Sequence, residues 1–275
     1  MLFDTHAHPY ITFKKSPEDI LENFLKWEEN RMISIACDFE SSIKSIELAK
    51  KYPTLKASIG YHPCDIPLFD PVEGIIKKLE DLYWENSQYI VAIGEIGLDY
   101  YWLKDISEKN KFSPEKIKDI QKQYFIAQIS LAKRLKLPFI IHSRESNEEV
   151  LEILIREEAQ NYVFHCFSWN WDFTQRVLLQ NPSALFGLWW VLTFKKSWEL
   201  QEVAKNLPLE NILIETDAPF LTPEPLRGKE ENESLYVKYV LKKLQELRWE
   251  DPDSVERIVY ENSNTFFRIP KNIAP

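Results

Sequence analysis

The chain has 275 residues, of which 44% are hydrophobic and 28% charged, and its formal net charge is −9. This length allows one large domain or two small ones, and we predict a single domain over 1–275. The negative charge argues against a protein that coats nucleic acid or an anionic membrane nonspecifically, because long-range steering would be repulsive.

The predicted elements alternate between strands and helices along the chain. The first strand ends at Pro9, which cannot donate to a sheet ladder. Ser16 followed by Pro17 has the pattern of a helix start and predicts a helix to about residue 30. Further strands are predicted at 33–37, 55–60, 89–95, 138–142, 162–165, 184–188 and 211–215. Further helices are predicted at 42–51, 71–86, 113–135, 147–158, 171–180 and 198–206.

Eight mostly apolar strands that alternate with helices are typical of a parallel sheet covered by helices. We therefore predict the α/β class and a (β/α)8 TIM barrel, with an additional C-terminal helix over 252–267. The alternative is an open, doubly wound sheet. It is less favoured because no glycine-rich turn follows a strand and the chain holds only six glycines.

All five histidines of the chain fall at predicted strand ends. A barrel gathers the carboxyl ends of its strands at one rim, where such enzymes build their active sites. The polar residues at these ends are His6, His8, His62, Glu95, Asp99, His142, Arg144, His165 and Asp217. A single histidine of this kind would be read as a satisfied polar residue, but the whole set predicts a site.

Imidazole and carboxylate ligands without cysteine suit Zn, Mn, Ni or Fe, and Mg where water and carboxylates dominate. The set exceeds what one tetrahedral ion needs. Two divalent ions that share a carboxylate, about 3.5–4 Å apart, would use all of it. Glu95 is the natural bridge, since it lies between the early and late histidines.

Six segments resemble the signatures of the TatD family of metal-dependent deoxyribonucleases, which have amidohydrolase-type barrels. They are similar in order and spacing over almost the whole chain, from residue 2 to about 267. The segments are 3–8 (FDTHAH), 60–63 (GYHP), 94–100 (GEIGLDY), 138–144 (PFIIHSR), 165–168 (HCFS) and 214–221 (IETDAPFL).

The resemblance implies a two-metal hydrolase of DNA phosphodiester bonds that acts as a 3′–5′ exonuclease on single strands or 3′ ends. It implies that one ion is held by His6, His8, Glu95 and Asp217, and the other by Glu95, His142 and His165. His62 would lie near the substrate phosphate. Water activated by the two ions would attack phosphorus, with Asp217 as proton acceptor.

Other side chains of the rim are candidates for contact with the substrate. Arg144 and Arg227 suit phosphate oxygens, since a guanidinium presents paired donors. Asp99 could orient a ligand or a group near the substrate, or simply cap a turn. Asp4 could pair with another polar group or orient a histidine, and we favour these roles over direct binding of a metal.

The chain also departs from the family pattern. Trp169 and Trp190 stand where the family usually has glycine, and the loop 227–234 has one residue more than the family motif. With Trp171 and Trp189 they form an aromatic group for which base stacking or core packing are the alternatives. We expect stacking for Trp169 and Trp190.

Alternatives to the nuclease keep the same site. Related barrels hydrolyse esters or amides, so D-aminoacyl-tRNA is a second candidate substrate, and a scaffold without catalysis is disfavoured by the complete ligand set.

The three cysteines, Cys37, Cys64 and Cys166, lack CxxC spacing, which is typical of reduced thiols in a cytoplasmic protein. No apolar stretch could span a bilayer, Asp4 and His6 interrupt any signal peptide, and we expect no membrane or obligate protein partner.

Overall fold

A computed structural model describes residues 1–11 and 13–270, and within them eight parallel strands form one sheet in chain order. The strands are β1 (Phe3–Ala7), β2 (Arg31–Ser34), β3 (Leu55–Ile59), β4 (Ile90–Asp99), β5 (Phe139–Arg144), β6 (Tyr162–Phe164), β7 (Leu185–Leu188) and β8 (Ile212–Ile214). The helices are α1 (Pro17–Leu25), α2 (Phe39–Lys51), α3 (Val72–Asn86), α4 (Leu103–Asn110), α5 (Pro114–Leu135), α6 (Asn147–Arg156), α7 (Trp171–Gln180), α8 (Trp198–Asn206), α9 (Val237–Leu247) and α10 (Pro252–Phe266). The predicted TIM barrel with a C-terminal helix is confirmed.

The strands bury both faces, as expected of a sheet covered by helices. Phe139 and Ile141 of β5 pack under the helices, whereas Ile140 between them belongs to a second cluster inside the barrel. Phe267, which follows α10, joins that inner cluster and stacks on Phe3 at the start of β1. The C-terminal helix therefore closes the N-terminal mouth and leaves the opposite mouth for a site.

The seam between β1 and β8 is held differently from the rest of the sheet. The two strands share no ladder, and an isolated bridge joins Ala7 to Ala218. The carboxylate of Asp4 adds two hydrogen bonds across the seam, accepting from the Thr216 backbone N at 2.9 Å and from its hydroxyl at 2.7 Å. A buried side chain thus replaces part of the missing ladder.

Gly97 allows β4 and β5 to approach closely. Its φ of +148° is a conformation that side-chain-bearing residues rarely adopt, and a Cβ there would stand 1.9 Å from the carbonyl oxygen of His142. Because of this approach, β4 runs on in register with β5 as far as Asp99 and Arg144. The rim is thus extended next to His142.

The sequence prediction missed two helices and ended two strands too early. Strand β5 continues to Arg144, beyond the predicted end at residue 142. Strand β4 continues to Asp99, beyond the predicted end at residue 95. Helix α4 is short and polar, with Leu103 as its buried residue, so its periodicity is faint. Helix α9 buries Val237, Val240 and Leu244, a helical spacing that the prediction overlooked. Within the described residues, no helix is long and apolar enough to cross a membrane.

Candidate metal centre

Glu95 lies at the centre of the open mouth, within 4.0 Å of a ring nitrogen of every histidine in the chain. Its Oε2 atom is 3.4 Å from His6 Nε2 and 4.0 Å from His8 Nε2. Its Oε1 atom is 2.6 Å from His142 Nδ1, 2.8 Å from His165 Nε2 and 3.8 Å from His62 Nε2. One carboxylate oxygen thus faces the first two histidines, and the other faces the remaining three.

Asp217 completes the half of the cluster that is nearest to β1. Its Oδ1 atom lies 3.4 Å from His8 Nε2 and 3.7 Å from His6 Nε2. The backbone is left-handed at Asp217, with a φ of +55°, a conformation that aspartate tolerates better than most residues. Its side chain is 16% exposed against 4% for Glu95. Asp217 therefore faces the open side of the cluster.

Burial and charge compete at these groups. Burial opposes the charged form of Glu95, but His165 and the neighbouring histidines outweigh it and hold the Glu95 pKa well below its usual value. Burial likewise opposes the imidazolium of His165, yet Glu95 and Glu215 hold the His165 pKa well above its usual value. Burial and the charge of His165 both lower the pKa of His6. Glu95 is thus ionised at neutral pH.

Groups outside the cluster fix the orientation of two imidazole rings. Asp99 Oδ2 lies 3.0 Å from His142 Nε2, and the carbonyl oxygen of Ile35 lies 3.1 Å from His8 Nδ1. A proton held by these acceptors leaves the opposite ring nitrogen free to bind a metal. The sequence offered three roles for Asp99: orienting a ligand, orienting a group near the substrate, or capping a turn. Asp99 contacts the far side of the candidate ligand His142 and also accepts from the Trp102 backbone N.

Glu215 is a residue of the site that sequence reasoning missed. It is 1% exposed, and its Oε1 atom lies 3.5 Å from His165 Nδ1. Its carboxylate also accepts from the Cys166 backbone N, and from the Thr5 hydroxyl at 3.4 Å. Strand alternation could have identified it, since Glu215 and Asp217 are two residues apart at the end of β8.

The missing β-carbon of Gly187 makes room for Glu215. A Cβ on Gly187 would stand 2.4 Å from Glu215 Oε2.

Asp4 in β1 contacts Thr216 rather than a histidine ring, and burial raises the Asp4 pKa to about 7. Asp4 thus serves the seam of the barrel, and Glu215 lies beside the cluster.

The residues of the cluster fit a pair of divalent ions. His6 is fully buried, and neither of its ring nitrogens has a hydrogen-bond partner among the described residues. Leaving such groups without a partner is costly unless something else binds them. Nitrogen and carboxylate oxygen donors are what Zn, Mn and Ni accept. The ligand atoms of His6, His8 and Asp217 lie within 4.8 Å of one another, as do those of His62, Glu95 and His142.

His62 differs from the other four histidines in the way its ring is held. Its Nδ1 atom accepts a hydrogen bond from the backbone N of Cys64 at 3.1 Å. A neutral ring that accepts at Nδ1 carries its proton on Nε2. The Nε2 atom faces Glu95 and the cavity, so His62 presents an N–H donor there.

A cavity of about 640 Å³ opens over the cluster and is lined by His8, His62, Glu95 and Asp217, among others. Arg144 and Arg227 are not among the described residues that line it. The Arg144 guanidinium carbon lies 3.8 Å from the centroid of the Tyr101 ring, and that of Arg227 lies 3.8 Å from the centroid of Phe194.

The expected stacking role of Trp169 and Trp190 is not supported by their surroundings. Trp190 is 6% exposed and packs against Trp189 and Phe194. Trp169 packs edge-on against Phe167, with ring centroids 5.2 Å apart. Both indoles therefore pack against neighbouring aromatic side chains.

The chain matches the family model described as TatD related DNase over residues 3–268. It is 38% identical over 276 residues to the uncharacterized metal-dependent hydrolase YabD of Bacillus subtilis, covering 98% of this chain and 100% of that protein. It is 28% identical to the 3′-5′ ssDNA/RNA exonuclease TatD of Salmonella typhimurium, covering 94% of this chain and 95% of that one. The solved structure of YJJV, a TatD homologue from Escherichia coli K12, superposes with a TM-score of 0.83 at 26% identity, covering 98% of both chains.

Proposed function

This chain belongs to the TatD-related DNase family and is a metal-dependent hydrolase, and from that premise we propose that it hydrolyses phosphodiester bonds of single-stranded DNA from the 3′ end. The observation that carries the proposal is the position of Glu95, whose two oxygens face two separate groups of histidines. A carboxylate in that position suits two ions, the arrangement used by many enzymes that cleave phosphodiesters.

The proposed ligands divide between the two oxygens of Glu95. His6, His8 and Asp217 would hold one ion together with Oε2, and His142 and His165 would hold the other together with Oε1. Two bound divalent ions, such as Mg, Mn, Zn or Ni, supply charge neutralisation at the phosphate and lower the pKa of the attacking water.

Asp217 is proposed as the acceptor of the proton from the attacking water. Burial disfavours its ionised form, but contact with His8 and the charges of nearby histidines hold the Asp217 pKa below its usual value. It is therefore ionised at neutral pH and is more exposed to the cavity than Glu95. A carboxylate in this state and position can take up a proton at Oδ1.

His62 and the two arginines are proposed to position the substrate. The Nε2–H group of His62 points into the cavity and can donate to a phosphate oxygen. Arg144 and Arg227 each rest one face on an aromatic ring, which leaves the edge of the guanidinium available for phosphate. DNA would thus find local positive charge on a protein whose net charge is negative.

The test is a nuclease assay of the purified protein with Mg, Mn, Zn or Ni. End-labelled single-stranded DNA should shorten from its 3′ end, faster than a blunt duplex, and chelation should stop the reaction. Asp217→Asn should lose activity about 100-fold or more, whereas Glu47→Gln, on the exposed surface of α2, should not. Release of amino acid from D-aminoacyl-tRNA without any shortening of DNA would favour the ester substrate instead.

A further inference from the structure

A second cavity, of about 300 Å³, lies beside the metal centre and shares His62 and Asp65 with the central cavity. Its other lining residues include Cys64, Trp102, Ile106 and Lys109. We propose that this side cavity binds a nucleobase of the nucleotide that flanks the bond to be cleaved, with the Trp102 indole as its stacking surface. The inference rests on the proposed function, whose substrate it specifies.

The chemistry of the lining favours a base over a further phosphate. The indole of Trp102 and the side chain of Ile106 give the cavity apolar surface, and Trp102 is 42% exposed. Asp65 and Asp105 bring two carboxylates against the single amine of Lys109, which would repel an anion. A neutral aromatic ring with its own donors and acceptors suits such a lining.

The walls of the side cavity are tied together before any ligand arrives. Gln121 is fully buried, and its Nε2 atom donates to the carbonyl oxygens of Pro63 at 3.2 Å and Asp99 at 3.1 Å. Pro63 lies between His62 and Cys64, which line one wall. Asp99 accepts from the Trp102 backbone N at 3.1 Å, which fixes the other wall. Fixed walls reduce the loss of conformational freedom on binding.

Charge next to the side cavity places the phosphates of the same nucleotide. Arg144 lies 5.7 Å from the Trp102 ring centroid as well as 3.8 Å from that of Tyr101. No hydrogen bond or ion pair to Arg144 side-chain atoms is seen within the described part of the chain. A phosphate at the guanidinium edge would therefore stand beside a base that is stacked on Trp102. His62 borders both cavities, so a DNA strand bound in the side cavity would reach the metal centre past His62.

The test compares binding of thymidine 5′-monophosphate with binding of 2-deoxyribose 5-phosphate, which lacks the base, by calorimetry on the full-length protein with and without Mg. Wild type should prefer the nucleotide, and Trp102→Ala should weaken nucleotide binding about tenfold while leaving the sugar phosphate nearly unchanged. Trp102→Phe should restore most of the preference. The matched control is Trp198 on α8, which is 67% exposed, and Trp198→Ala should behave as wild type.

Ile106→Ser provides an independent test should Trp102→Ala fold poorly, and it should also reduce the preference for the nucleotide. Equal binding of the two ligands by wild type, or an unchanged preference in folded Trp102→Ala, would overturn the assignment. These results are separate from the nuclease assay. If the protein cleaves DNA but shows no base preference, only the base-binding role of the side cavity is refuted. If it shows a base preference that depends on Trp102 but cleaves no DNA, only the proposed reaction is refuted.

Discussion

The imidazole rings of His6 and His165 lie face to face, with centroids 3.8 Å apart and planes inclined by 15°. Their Nε2 atoms point at different oxygens of Glu95, 3.4 Å from Oε2 for His6 and 2.8 Å from Oε1 for His165. Burial lowers the pKa of His6, and the charge of His165 lowers it further because two stacked imidazolium ions would repel each other. The stack therefore places one ligand of each proposed ion side by side, and in the metal-free protein His6 is the neutral ring of the pair.

Replacing Glu95 by Gln should lower the number of bound divalent ions from two to one or none. The amide nitrogen of Gln cannot act as the second ligand atom of a bridge, so one ion loses a ligand. Metal content after dialysis, measured by plasma mass spectrometry, gives the count. His62→Ala should keep both ions and lose activity. A Glu95→Gln protein that retains two ions would contradict the bridging role.

Asp99→Asn should weaken binding of one ion about 10–100-fold, the usual effect of removing the partner of a metal-bound histidine. Asn keeps an oxygen for the Trp102 backbone N, but its amide nitrogen then faces His142 Nε2 and cannot accept a hydrogen bond from it. Titration calorimetry would measure the affinities. Asp119→Asn, whose side chain is 64% exposed on α5, is the control. Identical affinities in both variants would remove Asp99 from the site.

Gly187→Ala should displace Glu215, because the new Cβ would lie 2.4 Å from its Oε2 atom. We expect a loss of about 1–3 kcal/mol in the free energy of unfolding, together with weaker metal binding through His165. Urea unfolding and metal titration check the two effects. Gly74→Ala in α3 has open space around its Cβ and should be neutral or stabilising. Equal stability of the two variants would show that the site tolerates the methyl group.

Metal binding should release protons and strengthen as the pH rises. In the metal-free protein, the pKa of His165 is raised because Glu95 and Glu215 outweigh its burial. Near pH 7 this ring therefore holds a proton that must leave before Nε2 binds an ion, and acid opposes binding further. Calorimetry in buffers of different ionisation enthalpy counts the protons released. Affinity that is constant from pH 6 to 8 would contradict this prediction.

The position of the histidines could be predicted from sequence because parallel strands end at one rim, whatever the details of the loops. The space that Gly187 provides for Glu215 could not, since it depends on which residues of β7 and β8 stand opposite each other. The packing of Trp169 and Trp190 also depends on loop conformation, which periodicity does not encode. A cytoplasmic location and a single domain over 1–275 stay predictions.

The isolated bridge between Ala7 and Ala218 makes the junction of β1 and β8 the least continuous part of the barrel. His6 and His8 lie on one side of this junction and Asp217 on the other. An ion bound by all three would cross-link segments more than 200 residues apart in the chain. Such a cross-link stabilises more than a local one because it closes a long loop. A cell starved of the metal would then hold a protein that is both inactive and easier for proteases to unravel from its N-terminal strand.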